Sequence, residues 1–193
     1  MSLYRGGGLG GVVTSEGVDL KIAEDNVVDA AIISSATSGW QMITGTFYDT
    51  PSVANTTTVT AQDWVLLDNP GVGAFNDSEL PSGVASTLYD TSTQTIQLSS
   101  LNRKDELQIE INYLMNVDTA NSAPSFKVVI DEGLATEFSK IVRSTAINFA
   151  SLWIDDIARL SFFVGSSTTA KIYARCDEDA ELSVKNYTIY LIR

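Results

Sequence analysis

The side chains left for chemistry in this chain are carboxylates, hydroxyls, lysines, arginines and tyrosines, because its 193 residues include no histidine and a single cysteine, Cys176. That composition excludes the Ser-His-Asp triad, the Cys-His pair, the histidine proton shuttle and zinc held by histidine or thiolate clusters. Paired carboxylates remain to be tested, and a glycosidase needs two of them roughly 5–10 Å apart. Glu106 and Glu110 share one face of an alternating segment, but four residues at about 3.3 Å each separate them by about 13 Å. Asp177 and Asp179 would lie about 6.6 Å apart if extended. They fall between two strand patterns, however, where an acidic turn is normal. Asp155 and Asp156 are adjacent, would point opposite ways on a strand, and read as turn residues.

Other binding chemistries fare no better. Asp68, Asn69, Asn76, Asp77 and Glu79 gather oxygen ligands of the kind calcium takes, but without the D-x-[DN]-x-[DN]-G order of a dedicated loop. Ordinary loop polarity is the expectation. The glycines of residues 6–11 lack a following Gly-Lys-Ser/Thr, so no phosphate loop is expected there. Trp40, Trp64 and Trp153 could line a sugar groove, but strand tryptophans are more often core residues. The reading is therefore no enzyme, no cofactor and no metal.

The elements that would position any site read as β. The segment 106–117 alternates Leu107, Ile109, Ile111, Tyr113, Met115 and Val117 against Gln108, Glu110, Asn112 and Asn116, the period-2 signature of a half-buried strand. Strands are also expected at 18–22, 40–48, 56–60, 64–67, 95–98, 126–130 and 171–176, the last with Ile172, Ala174 and Cys176 inward. Segments 146–153 and 159–164 are expected to pair around Asp155-Asp156. Residues 23–35 suit a short helix or a loop equally, and 71–93 reads as a long acidic loop. In 181–193 the apolar phase changes: Leu182 and Val184 lie on one parity, Tyr187, Ile189 and Leu191 on the other. A bulge near Lys185–Asn186 explains this; so does burial of both faces, one against the core and one against another subunit. About eight strands without βαβ alternation predict an all-β antiparallel sandwich or jelly roll over residues 36–193. It would follow an extended N-terminal arm and lead-in over 1–35.

Charge and hydropathy bound the partners. With 12 basic and 24 acidic side chains the formal net charge is −12, which disfavours nucleic acid and anionic membrane surfaces. No apolar run approaches the ~18 residues of a membrane span, and nothing near Met1 resembles a secretory signal. Only two basic residues precede position 101, against eleven acidic ones, so the two halves are differently exposed. The arm holds five glycines in residues 6–11, flanked by Leu3, Tyr4, Arg5 and Leu9. Ordering such a chain costs about 1–2 kcal/mol per residue, so a fixed path for it calls for a partner surface. Leu3, Tyr4 and Leu9 would fill pockets there, with Arg5 pairing a carboxylate.

The stretch from Trp64 to Phe75 (WVLLDNPGVGAF), with Leu80-Pro-Ser-Gly-Val84, Leu88-Tyr-Asp-Thr-Ser-Thr-Gln-Thr95 and Leu107-Gln-Ile-Glu-Ile-Asn112, resembles a jelly-roll module of tailed-bacteriophage structural proteins. Leu3-Tyr-Arg-Gly-Gly7 is similar to the tether that begins many phage fibre and decoration proteins. The resemblance implies a non-enzymatic virion protein on the capsid surface, a decoration or cement protein whose arm grips the major capsid protein or another virion protein. It also implies a homotrimer, with Tyr187, Ile189 and Leu191 near the axis. Two alternatives stay open: a tail or fibre adaptor with a receptor- or glycan-binding head, and a carbohydrate-active enzyme or lectin. The long repeats or coiled coils of fibre proteins are missing from this chain, which favours a compact knob on the shell.

Overall fold

A computed structural model describes residues 38–45, 56–72, 76–144 and 146–193, and they form twelve antiparallel strands in two sheets. The strands are β1 (Ser38–Thr44), β2 (Thr57–Val59), β3 (Val65–Leu66), β4 (Asp77–Glu79), β5 (Tyr89–Asp90) and β6 (Thr95–Gln97), then β7 (Glu106–Val117), β8 (Ser125–Ile130), β9 (Phe138–Arg143), β10 (Ile154–Phe163), β11 (Thr169–Arg175) and β12 (Ala180–Ile192). The expected strand at 18–22, the undecided segment 23–35 and the arm with Leu3, Tyr4, Arg5 and Leu9 lie outside the described residues. No described helix is long and apolar enough to cross a membrane.

One sheet runs β10-β7-β12-β1-β4, with β2 also on β12; the other runs β5-β6-β11-β8-β9, with β3 also on β11. Setting aside the short β2 and β4 and taking β3, β5 and β6 together as the second strand of eight, the first sheet pairs the first strand with the eighth, the eighth with the third and the third with the sixth. In the second sheet the second strand lies beside the seventh, the seventh beside the fourth and the fourth beside the fifth. That order is two Greek keys wound together, a jelly roll.

The core is the inward parity of the long strands. Leu107, Ile109, Ile111, Tyr113, Met115 and Val117 of β7 are all buried, facing Phe126, Val128 and Ile130 of β8 and Ile172 and Ala174 of β11. Tyr113 and Phe126 pack with tilted rings at 4.8 Å between centroids, and Tyr89 meets Tyr187 edge-on at 5.3 Å.

The phase change in β12 is a β-bulge: the register with β7 shifts between Val184 and Asn186. One extra residue returns Leu182, Val184, Tyr187, Ile189 and Leu191 to the same inward face, where each is 5% exposed or less. Gly45 is required beside it. Its N–H donates to the Lys185 carbonyl at 2.7 Å, and a Cβ there would lie 2.0 Å from the Val184 oxygen.

The expected pair 146–153 with 159–164 is not formed. β10 is one strand that includes Asp155 and Asp156 and pairs along its whole length with β7, while 146–153 is loop apart from a bridge between Ile147 and Ser122. Continuous pairing to β7 extends β10 through the two aspartates, because their opposite orientations suit a strand at a sheet edge. β4, β5 and β9 escaped the sequence reading. The first two are strands of three and two residues set within the acidic loop.

Candidate interaction surface

Each carboxylate that could have served catalysis has a structural partner. Asp177 pairs with Arg143, and Asp179 accepts the Ala61 N–H at 2.7 Å. Glu110 pairs with Arg159 at 2.9 Å, and Glu106 accepts from the Gln108 amide. The two β10 aspartates divide as strand alternation requires. Asp155 faces out to Lys185 at 2.6 Å, and Asp156 faces in, accepting from Ser144 Oγ at 2.8 Å and Tyr113 OH at 3.1 Å. Burial pushes the Tyr113 phenol up. Among the described residues no group of three or more acidic or thiol side chains is placed to hold a metal. Of the proposed cation ligands, Asn69 donates to the Ile43 carbonyl and accepts from the Gly71 N–H, Asp77 accepts from the Ser78 N–H, and Glu79 accepts from Trp40 Nε1. These are the bonds of a turn and a strand edge.

The outer face of the second sheet carries a cation–aromatic cluster. Lys127 Nζ lies 4.7 Å from the Trp64 ring centroid and 5.0 Å from that of Tyr173, and the Arg175 guanidinium sits 6.0 Å from Trp64. Glu132 closes the cluster, accepting from Tyr173 OH and from Lys171 Nζ at 2.9 Å. Those two hydrogen bonds hold the Glu132 carboxyl below its ordinary value, while burial and then Glu132 push the Tyr173 phenol up. Lys127 is thus shared between two rings in a cation–π arrangement.

Tryptophan placement departs from expectation. None of Trp40, Trp64 and Trp153 is buried. Trp40 and Trp64 lie on outer faces of the two sheets, where their N–H or ring face meets a charged neighbour.

Among the described residues, several of the most exposed large apolar side chains gather at the β9–β10 side of the sandwich. Phe163 is 71% exposed, Phe149 60%, Ile141 57% and Phe138 56%. Part of this follows from local sequence. Phe162 and Phe163 are consecutive, so a strand that buries one must expose the other. Phe149 lies in the 146–153 loop, and Phe138 and Ile141 belong to β9, an edge strand whose inward-parity residues overhang the core: Phe138 is exposed, and Lys140 reaches across to donate to the Ser161 carbonyl at 2.5 Å. Phe149 and Ile154 line a cleft of about 340 Å³ with Asp155 and Asp156. Phe163 lines a second, of about 570 Å³, with Arg103 and Lys104.

The subunit-interface assignment needs correction. Tyr187, Ile189 and Leu191 are 0% exposed inside the sandwich, so they cannot themselves meet a second subunit. The bulge accounts for the phase change without one. The alternate residues Tyr190 and Ile192 face outward instead, 40% and 37% exposed.

No protein-family profile and no curated protein sequence matches this chain. Among solved structures it is similar to Eiger TNF from S. frugiperda, at 8% identity over 80% of this chain and 91% of that one, with a TM-score of 0.42. PRD1 vertex protein P5 is similar at 15% identity over 81% and 96%, with a TM-score of 0.36. A carbohydrate-binding module of Cellvibrio mixtus lichenase 5A, solved with cellotriose, is similar at 10% identity over 79% and 95%, with a TM-score of 0.30. The jelly-roll assignment rests on this chain's own strand order.

Proposed function

We propose that this chain is a non-enzymatic structural protein of a bacteriophage virion, a decoration or cement protein that sits on the outer face of the head. The observation that supports it best is the fate of the carboxylates. Those that could have formed an acid–base pair are held by arginine, lysine, hydroxyl or backbone partners, and the surface left open is apolar edge. A surface of that kind suits protein contact. The phage-like segments between Trp64 and Val117 and the Leu3-Tyr-Arg-Gly-Gly7 start supply the particle. In this reading the arm anchors the protein to the major capsid protein through Leu3, Tyr4, Arg5 and Leu9, and the jelly roll stands proud of the shell.

The test is binding of purified protein to particles that lack it, followed by electron microscopy. Wild-type protein should decorate the head, and deletion of residues 2–14 should abolish decoration while leaving the jelly roll folded. Y4A with R5A should remove most of the binding. Label confined to tail or fibre would overturn the head assignment in favour of an adaptor. Full occupancy by the truncated protein would move the anchor to the jelly roll.

A further inference from the structure

The outer face of the second sheet gathers four of the 12 basic side chains of this acidic chain. Strand register places Leu66, Tyr173, Lys127 and Ile141 in one outward row across β3, β11, β8 and β9. Arg175, Ser125 and Arg143 form the next row, and Lys171 lies one outward position along β11 on the other side. Arg143 is paired with Asp177, and Lys171 with Glu132. Among the described residues Lys127 and Arg175 have no ion-pair partner, although both sit over the same Trp64 ring. Two like charges at one ring repel each other, so the cluster is short of an anion.

The Arg175 guanidinium shows which anion fits. Its Nη2 donates to Gln62 Oε1, while its Nε, buried from solvent, has no hydrogen-bond partner. Nε and Nη2 together are one side of the guanidinium fork, which matches the two oxygens of a carboxylate. An amide oxygen thus fills one of the two positions and nothing fills the other. Gln62 is exposed, with φ at +68°, in the turn that the Asp63 N–H closes on the Thr60 carbonyl. Its only other side-chain bond is from Nε2 to the Asp177 carbonyl at 2.8 Å, so it can swing away without breaking a strand pairing.

We infer that this face docks a carboxylate-bearing segment of a partner protein. The incoming carboxylate displaces Gln62, takes Arg175 Nε and Nη2 together, and neutralises Lys127 between the Trp64 and Tyr173 rings. Charge complementarity selects an acidic partner at this one face of a chain whose net charge is −12. A protein is favoured over an acidic sugar by the neighbours: Trp64, Tyr173 and Arg175 are of the types that dominate protein hot spots, and Ile141, 57% exposed, stands beside Lys127 in the same row. An aliphatic side chain there gains from an apolar partner residue and little from hydroxyls. Nucleic acid would bring a long run of phosphates against the net negative charge. The inference goes beyond the virion reading and does not rest on it.

The experiment is heteronuclear NMR of the full chain, which reports the Arg175 Nε–H and the Trp64 indole N–H directly. The probe is an acetylated hexapeptide of alternating glutamate and leucine, compared with its glutamine counterpart and with trigalacturonate. The acidic peptide should shift both signals, and the glutamine peptide should bind about tenfold more weakly or worse. R175K keeps the charge but loses the fork, so it should cost about tenfold. Q62G, which suits the positive φ, should bind several-fold more tightly because no amide competes. K127E with R175E should abolish binding, with circular dichroism confirming that each variant is folded. Arg175 and Trp64 signals unmoved by 5 mM acidic peptide would overturn the inference, as would binding that survives K127E with R175E. Equal affinity for trigalacturonate would overturn the protein assignment. Shifts of the same signals on concentrating the protein alone would do so too, since the occupant would then be a second copy.

Discussion

Replacement of Asp131 should be among the most damaging single changes to this fold. The residue is 2% exposed in the β8–β9 turn, with φ at +52°. Oδ1 accepts the Thr168 N–H at 2.8 Å, the Thr169 N–H at 3.2 Å and the Thr168 hydroxyl at 3.2 Å, while Oδ2 accepts the Thr136 hydroxyl at 3.0 Å. One carboxylate thus ties the β8–β9 turn to the β10–β11 loop. D131A would strand two backbone N–H groups, at about 1–3 kcal/mol each, and would place a Cβ-bearing residue without a local hydrogen bond in the left-handed region. A loss of about 3–5 kcal/mol is expected. D131N keeps an acceptor and tolerates that φ, so it should lose about 1–2 kcal/mol, the charge-assisted part. Burial pushes this carboxyl's pKa up, but the Thr168, Thr169 and Thr136 hydrogen bonds outweigh it, and the net shift is downward. Its stabilisation is therefore complete above the unfolded value near 3.9 and is lost as pH falls through the lower folded value. Urea melts at pH 7 and across pH 2–5 measure both effects. The reasoning fails if D131A costs less than about 1 kcal/mol, or if wild type and D131N lose stability equally on acidification.

Three further outcomes follow from the core and the bulge. Y187F should cost about 1 kcal/mol in urea, because the Tyr187 hydroxyl donates to the buried Leu67 carbonyl at 3.2 Å and phenylalanine leaves that oxygen unmatched. Deleting Lys185 removes the extra residue of the β12 bulge, so the segments on either side can no longer both face inward; the protein should be insoluble or lack a cooperative melt. The Cys176 thiol is 0% exposed, and burial pushes its pKa up, so a disulfide reagent at pH 8 should label it only in denaturant.

Local alternation along the chain was enough to determine the all-β class and the inward parity of 106–117, 126–130 and 171–176, because side-chain direction in a strand repeats every two residues whatever its neighbours are. It determined the absence of histidine chemistry by composition, and it placed a bulge near Lys185–Asn186 as one of two explanations for the broken phase. Choosing between the two needed the tertiary structure. Only the pairing of β12 with β7 shows that a register shift carries Tyr187, Ile189 and Leu191 into the core, so that Tyr190 and Ile192 face outward. The same dependence on partners made β10 one strand through Asp155 and Asp156, and made β9 a strand at all, since Phe138, Ile141 and Val142 follow no alternation of their own. It also left Trp40 and Trp64 on outer faces, each beside a charged neighbour. Asp77 and Arg159 lie 82 positions apart in the chain yet align across the first sheet through Met42, Thr188 and Glu110, because sheet order is decided by long-range pairing that no local window contains.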